Sequence, residues 1–161
     1  MKNTNHSLFD KYEMIKDLGT GSSGSVTLVR HISMDQERAL KKVPKASAFA
    51  ESALSEARLL KSLEHQSIPR IFDFEEDDAF YYIVEEYIDG ETLDSFLLHQ
   101  QLISPGLFFN ICEQLCNVFI YLHTQISTPI IYRDLKPEHI IVCHNKLKLI
   151  DFGVSAYVIQ D

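Results

Sequence analysis

Tyr132-Arg133-Asp134-Leu135-Lys136-Pro137-Glu138-His139 and, 12 residues after His139, Asp151-Phe152-Gly153 are the stretches on which the reading of this chain turns. They place two carboxylates, a lysine and a histidine in polar loops around short apolar runs. Those runs, Ile130 to Tyr132, Ile140 to Cys143 and Lys146 to Ile150, read as strands. Upstream the pattern is helical. Ser104-Pro105 supplies an N-cap followed by proline at the first helical position, opening a long helix that ends near Gln125. Thr92 to His99 is a shorter helix, and Asp89-Gly90 breaks the pattern before it.

The N-terminal half is β-rich. Tyr12 to Leu18 and Ser25 to His31 read as strands joined by Gly19-Thr20-Gly21-Ser22-Ser23-Gly24, with a third strand from Arg38 to Val43. Ala48 to Leu63 carries Leu54, Ala57, Leu60 and Leu63 at helical spacing and is stopped by His65 to Pro69. Arg70 to Phe74 and Phe80 to Tyr87 are two further strands around Glu75-Glu76-Asp77-Asp78, an acidic run expected at a solvated hairpin tip. Sheet plus one helix, then helices plus short strands, gives an α+β chain with two unequal lobes.

The 161 residues are 45% hydrophobic and 24% charged, which suits one folded domain and excludes a collagen-like or wholly disordered chain. A net charge of -8 repels phosphate backbones and argues against general nucleic-acid binding. Cys112, Cys116 and Cys143 fit neither a disulfide framework nor a four-ligand zinc site, and Cys112 and Cys116 are expected as small core residues. Met1 to Asp10 lacks an apolar run of signal-peptide length, and no stretch is apolar enough to span a bilayer, so a cytoplasmic location is expected.

Leu18 to Val26 is the first chemical signal. Its glycines let backbone approach phosphates closely and tolerate positive φ, and its serines add donors. Such a loop also suits a dinucleotide-binding turn or a plain hairpin; a strand rather than a helix after it favours a flap over nucleotide phosphates. Lys41 in the third strand and Glu56 in the helix would each ordinarily be solvent-facing. Packed against one another they would form a partly buried ion pair that aims the ammonium at phosphate oxygens.

With these four motifs in this order, nearly all of Phe9 to Gly153 resembles the eukaryotic-type (Hanks-type) protein kinases, and Lys136 two residues after Asp134 resembles their serine/threonine subclass. The resemblance implies a kinase-like α+β fold: residues 1–8 a tail, about 9–88 a complete small lobe, and about 89–161 the start of the large lobe. It also implies ATP and Mg²⁺ as cofactors and a protein hydroxyl as acceptor. Lys41, held by Glu56, would grip the α- and β-phosphates under the flap of Gly19, Gly21 and Gly24; Asp151 would ligate Mg²⁺. Asp134 would orient or deprotonate the acceptor hydroxyl, and Lys136 would steady the γ-phosphate. Leu18, Val26 and Ala39 above and Ile141 below would sandwich adenine, with edge hydrogen bonds from the backbone of Glu86 and Ile88.

Three departures accompany the resemblance. His139 stands where the family has an asparagine that binds a second metal and braces the catalytic aspartate. Either it becomes a metal ligand better suited to Mn²⁺ than to Mg²⁺, or it hydrogen-bonds Asp134 and braces it without metal. Glu85 guards the back of the adenine pocket, where an uncharged residue is usual, and a carboxylate there is expected to compete with Glu56 for Lys41. Tyr132, in place of the usual histidine, is the milder change.

The sequence also stops at Asp161, before the family's Ala-Pro-Glu motif and peptide-binding helices. The helix from Pro105 to Gln125 has apolar residues on nearly every face; five large side chains left wet would forgo about 8 to 15 kcal/mol of burial. Self-association through this helix, a partner chain, or partial unfolding is therefore expected. Two functional expectations follow: an ATP-dependent serine/threonine protein kinase whose own turnover is low or nil, and a pseudokinase-like nucleotide-binding or docking module. Beside these two stands the blander expectation of a fragment of a larger product with no separate role.

Overall fold

In the computed structural model, residues 8–21, 24–100, 102–125 and 127–158 are described. They form two compact units. One comprises the chain up to Ala57 together with Arg70–Tyr87; the other comprises Arg58–Pro69 and the chain from Ile88 onward. The second unit thus takes in 58–69 as well as the C-terminal half.

The first unit opens with a turn of helix, α1 (Leu8–Lys11), followed by β1 (Tyr12–Gly21), β2 (Gly24–His31), β3 (Gln36–Pro44), α2 (Ala50–Lys61, of which the part to Ala57 belongs here), β4 (Ile71–Glu76) and β5 (Phe80–Glu86). The five strands make one antiparallel sheet in the order β1-β2-β3-β5-β4. All five strands and α2 match the sequence reading, with boundaries shifted by a few residues. The glycine-rich segment is the main difference. Strand pairing continues through Thr20↔Ser25 to Gly21↔Gly24, and Ser22 and Ser23 lie outside the described residues.

Opposed residues across an antiparallel ladder share a face, and the register sorts the sheet into two. On one face Val43 and Ile83 pack with Ala53 and Ala57 of α2, beside Ile71, Phe74 and Tyr81. On the other, Val29, Leu40, Tyr82 and Val84 pack with Tyr12 and Leu8.

Leu8, assigned to the tail from sequence, is fully buried, so that boundary is corrected: four residues form a helical turn too short to show a period. The turn is pinned electrostatically, since the Leu8 N–H donates to Glu75 at 2.8 Å and Lys11 Nζ reaches Asp73 at 2.7 Å. Other members of the acidic run are also engaged. Lys45 pairs with Glu76, and Asp77 accepts from the N–H groups of Ala79 and Phe80 and from the Tyr82 hydroxyl. These bonds to its ionised form hold the Asp77 carboxyl below its ordinary pKa. The run is a solvated turn, as expected, and is locked by side-chain bonds as well.

The second unit contains β6 (Glu91–Thr92), α3 (Leu93–His99), α4 (Pro105–Ile120) continued by a π-helical turn (Tyr121–Gln125), β7 (Ile130–Ile131), a 3-10 turn (Pro137–His139), β8 (Ile140–Cys143), β9 (Lys146–Leu149) and β10 (Ala156–Tyr157). β6, β8 and β9 form one small sheet, and β7 pairs with β10. Ser104 caps α4 by accepting the Leu107 N–H at 3.2 Å, with proline at the first turn, as the sequence indicated. β6 and β10, two residues each, were not foreseen.

Of the residues of α4, only Val118 is fully covered; Phe108, Phe109 and Ile120 are at least half exposed, as expected for a helix apolar all round. Cys112 is half-buried and Cys116 exposed, so the expected core role is corrected for Cys116. The 58–69 segment is tied to this unit by the Glu64 N–H donating to the Tyr121 hydroxyl and the Leu149 N–H donating to the Ser67 carbonyl, both at 2.8 Å. Among the described residues no helix is long and apolar enough to cross a membrane.

Candidate functional site

In the first unit the residues of interest share one face of the sheet. The register opposes Gly19 to Val26, Val26 to Lys41 and Lys41 to Ile83 in one row, and Leu28 to Ala39 and Ala39 to Glu85 in the next. Since Ile83 packs on α2, Val26, Ala39, Lys41 and Glu85 all point to the α2 side. Leu18 is more than one-third exposed on β1, and Ala39 is buried.

Lys41 Nζ donates to Glu56 Oε2 at 2.8 Å, and the Glu56 side chain is only 9% exposed. A carboxylate so buried requires a bonded cation, and Lys41 provides it. The ion pair proposed from two isolated residues is formed here, because α2 lays Glu56 over the strand that carries Lys41. Glu85 is half-buried beside this pair. Desolvation pushes its carboxyl up to about 7; the Lys41 charge works against that rise and the Glu56 charge adds to it.

The three glycines of the flap differ. A Cβ on Gly24 would stand 2.1 Å from the Lys42 carbonyl oxygen, and its φ of +132° belongs to glycine. Packing against β3 demands that residue. A Cβ on Gly19 or Gly21 would meet nothing within 4 Å, so these two leave room on their exposed strand.

In the second unit the two polar loops come together. His139 is 9% exposed. Its Nδ1 lies 3.1 Å from the backbone carbonyl of Asp134 and 3.4 Å from Asp134 Oδ2, while its Nε2 lies 3.3 Å from Asp151 Oδ2. Lys136 Nζ donates to Asp134 Oδ2 at 3.1 Å, and Asp151 Oδ1 accepts the Gly153 N–H at 3.3 Å. Asp134, Lys136, His139 and Asp151 thus form one cluster with both carboxylates open to solvent on one side.

The backbone under both carboxylates is strained, with φ of +71° at Arg133 and +60° at Asp151, neither of them glycine. Arg133 Nε donates to the Val154 carbonyl at 2.5 Å, and the Tyr132 hydroxyl donates to the Ile150 carbonyl at 2.5 Å. Tyr132 and Phe152 are buried in edge-to-face contact with centroids 5.0 Å apart. Sequence reading treated Tyr132 as a mild replacement and gave Arg133 no role. Both bind one loop to the other, a function that adjacency to Asp134 alone does not reveal.

Ile141, on β8, is opposed to Lys148 and Thr92. Ile88 follows β5, and the Glu86 N–H is donated to the Arg70 carbonyl at 2.9 Å.

A divalent cation suits the Asp151 carboxylate. It is a hard oxygen donor, 55% exposed, on a loop that fixes its second oxygen. Among the described residues no group of three or more His, Cys, Asp and Glu side chains converges as a self-sufficient metal cage. A cation at Asp151 would therefore complete its shell with phosphate oxygens and water, the usual habit of Mg²⁺ at nucleotides.

Comparison with known proteins agrees with this geometry. Residues 12–161 match the protein kinase domain family. Serine/threonine-protein kinase PrkC of Bacillus subtilis is 31% identical over 150 residues, covering 90% of this chain and 23% of that protein. Calcium-dependent protein kinase 4 of Plasmodium falciparum is 34% identical, over 98% of this chain and 31% of its own length. cAMP-dependent protein kinase type 3 of Saccharomyces cerevisiae is 34% identical, over 95% and 39%. The sequence spans less than two-fifths of each of these relatives. With the β-rich unit, the Lys41–Glu56 pair and the Asp134–Asp151 cluster all in agreement with that match, the chain belongs to the eukaryotic-type serine/threonine protein kinase family.

Proposed function

We propose that this chain binds ATP with a divalent cation and transfers the γ-phosphoryl group to a serine or threonine hydroxyl of a protein. The observation that carries the reading is the cluster of Asp134, Lys136, His139 and Asp151, in which a base-competent carboxylate bonded to a cation and a metal-competent carboxylate both lie beside one histidine. Phosphoryl transfer asks a protein mainly for positioning and charge compensation. When bound, the metal–nucleotide complex supplies the activated phosphoryl group.

The chain's own residues do the rest. Lys41, oriented by Glu56, neutralises α- and β-phosphate charge. Val26 and Ala39, with Leu18, offer an apolar surface to adenine, and the backbone of Glu86 serves the base edge. Gly19 and Gly21 keep the flap open enough to close on phosphates, while Gly24 anchors it. Asp134 accepts the acceptor hydroxyl's hydrogen and orients the oxygen for attack, and Lys136 balances charge on the transferred group. Asp151 holds the metal. Glu85, half-buried next to Lys41, contends with Glu56 for the ammonium and lowers nucleotide affinity.

A second reading is favoured by one observation, the exposure of Phe108, Phe109 and Ile120 on α4. Such a surface suits a partner chain or a second copy, and a module that binds nucleotide and docks without turnover would use it. One experiment separates the two. The protein is incubated with labelled ATP, Mg²⁺ or Mn²⁺ and a generic acceptor protein, beside a Lys41→Met control. Label transfer absent from the control supports the kinase. ATP-dependent thermal stabilisation without transfer supports the docking module, and neither response refutes both.

A further inference from the structure

Resting on that nucleotide-binding reading, we propose that Glu85 couples nucleotide capture to a proton: the triphosphate binds the form of the site in which Glu85 is neutral, so a proton is taken up with it wherever Glu85 is ionised beforehand. Two carboxylates converge here on one ammonium. Lys41 on β3 is opposed to Ile83 on β5, and Glu85 lies two residues beyond Ile83 on the same face of the sheet. Such diagonal neighbours stand roughly 7 to 8 Å apart, within reach of two long side chains. From α2, Glu56 already bonds Lys41 Nζ at 2.8 Å.

The remaining surroundings of Glu85 in this unit are apolar. β3 sets Ala39 opposite it and β4 sets Ile71 opposite it. Arg38 and Glu86, the next residues along β3 and β5, are opposed on the other face, where the Arg38 guanidinium lies 3.7 Å over the Phe72 ring. The charged groups that act on Glu85 are Lys41 from β3 and Glu56 from α2.

Charge counting gives the direction. With Glu85 neutral, the three side chains cancel; with Glu85 ionised, they carry one net negative charge. A half-buried negative site repels the phosphates that Lys41 would attract, and water screens that repulsion poorly there. Bound phosphates therefore favour protonated Glu85 more strongly than the free site does. Burial already raises this carboxyl to about 7 in the free protein, so binding raises it further. A group whose pKa rises on binding takes up a proton as the ligand enters, and affinity falls with rising pH between its free and bound values. Glu85 thus acts as a positioning residue: its protonation leaves the Lys41 ammonium answering to Glu56 and the phosphates alone.

The test is calorimetric titration of the purified protein with Mg²⁺ and a non-hydrolysable ATP analogue, in buffers of different ionisation enthalpy, which counts protons taken up per nucleotide. More than about half a proton per nucleotide is expected near pH 7.5, and affinity should fall about five- to tenfold from pH 6 to pH 8. Glu85→Gln should take up at least about half a proton less near pH 7.5, and its affinity should change by under about twofold over the same range.

Binding without proton uptake, at an affinity flat in pH, would overturn the proposal and leave the nucleotide reading intact. Uptake undiminished in Glu85→Gln would assign the proton to another group and overturn it as well. Should that variant fail to fold, infrared difference spectra of the unmutated protein with ¹³C-labelled glutamate decide. A protonated glutamic carboxyl gained on adding the analogue near pH 8 supports the coupling, and none gained overturns it. No binding of the analogue at any pH from about 5.5 to 8.5 would overturn the proposal together with the nucleotide reading.

Discussion

Replacing Glu85 by glutamine should stabilise the fold at neutral and alkaline pH and do little in mild acid. Glu85 sits on β5 opposite Ala39 of β3 and Ile71 of β4, with Lys41 and Glu56 as its charged neighbours. Burial pushes its carboxyl from 4.5 up to about 7. The unfolded chain therefore releases this proton near pH 4.5 and the folded chain only near pH 7. Between those values the folded state holds more protons, so stability falls as pH rises, and the loss is complete above about pH 7. The gap between the two pKa values corresponds to about 3 kcal/mol.

Glutamine keeps the shape and has no charge to desolvate. Urea unfolding followed by circular dichroism should show Glu85→Gln more stable than the parent by about 2 to 3 kcal/mol at pH 8 and by under about 1 kcal/mol at pH 4.5. Equal effects at both pH values, or a variant less stable at pH 8, would refute the reasoning. The second outcome would mean that ionised Glu85 is a net favourable partner of Lys41. Glu85→Met should also raise nucleotide affinity in calorimetry if the two carboxylates compete for that lysine, and unchanged affinity would count against the competition.

Other expectations concern single positions. Gly24→Ala should destabilise by at least about 2 kcal/mol, because its Cβ would meet the Lys42 carbonyl at 2.1 Å, whereas Gly19→Ala should stay within about 1 kcal/mol in the same melts. Leu8→Ala removes a fully buried side chain from the Tyr12, Val29, Leu40, Tyr82 and Val84 cluster and should cost about 2 to 4 kcal/mol; a neutral result would show that α1 is not docked. Tyr132→Phe deletes the hydroxyl donated to the Ile150 carbonyl. A loss of about 1 to 2 kcal/mol is expected, with faster amide exchange around Asp151, and unchanged exchange would argue against the tether.

The sequence by itself determined the order of the longer strands and helices, and the family. Alternating apolar strands, the Ser104-Pro105 start and the glycine-dense hairpin are local signals, and local signals survive in one dimension. The pairing of Lys41 with Glu56 was inferable from the motif, yet its reality depends on α2 lying across β3. Leu8 was misassigned because one helical turn carries no period. The roles of Tyr132 and Arg133, the packing reason for Gly24, and the aim of the His139 ring toward both Asp134 and Asp151 came only with the folded chain. Each depends on a partner that lies well away in sequence and is brought into reach by strand register or loop closure, and such distances are set by packing.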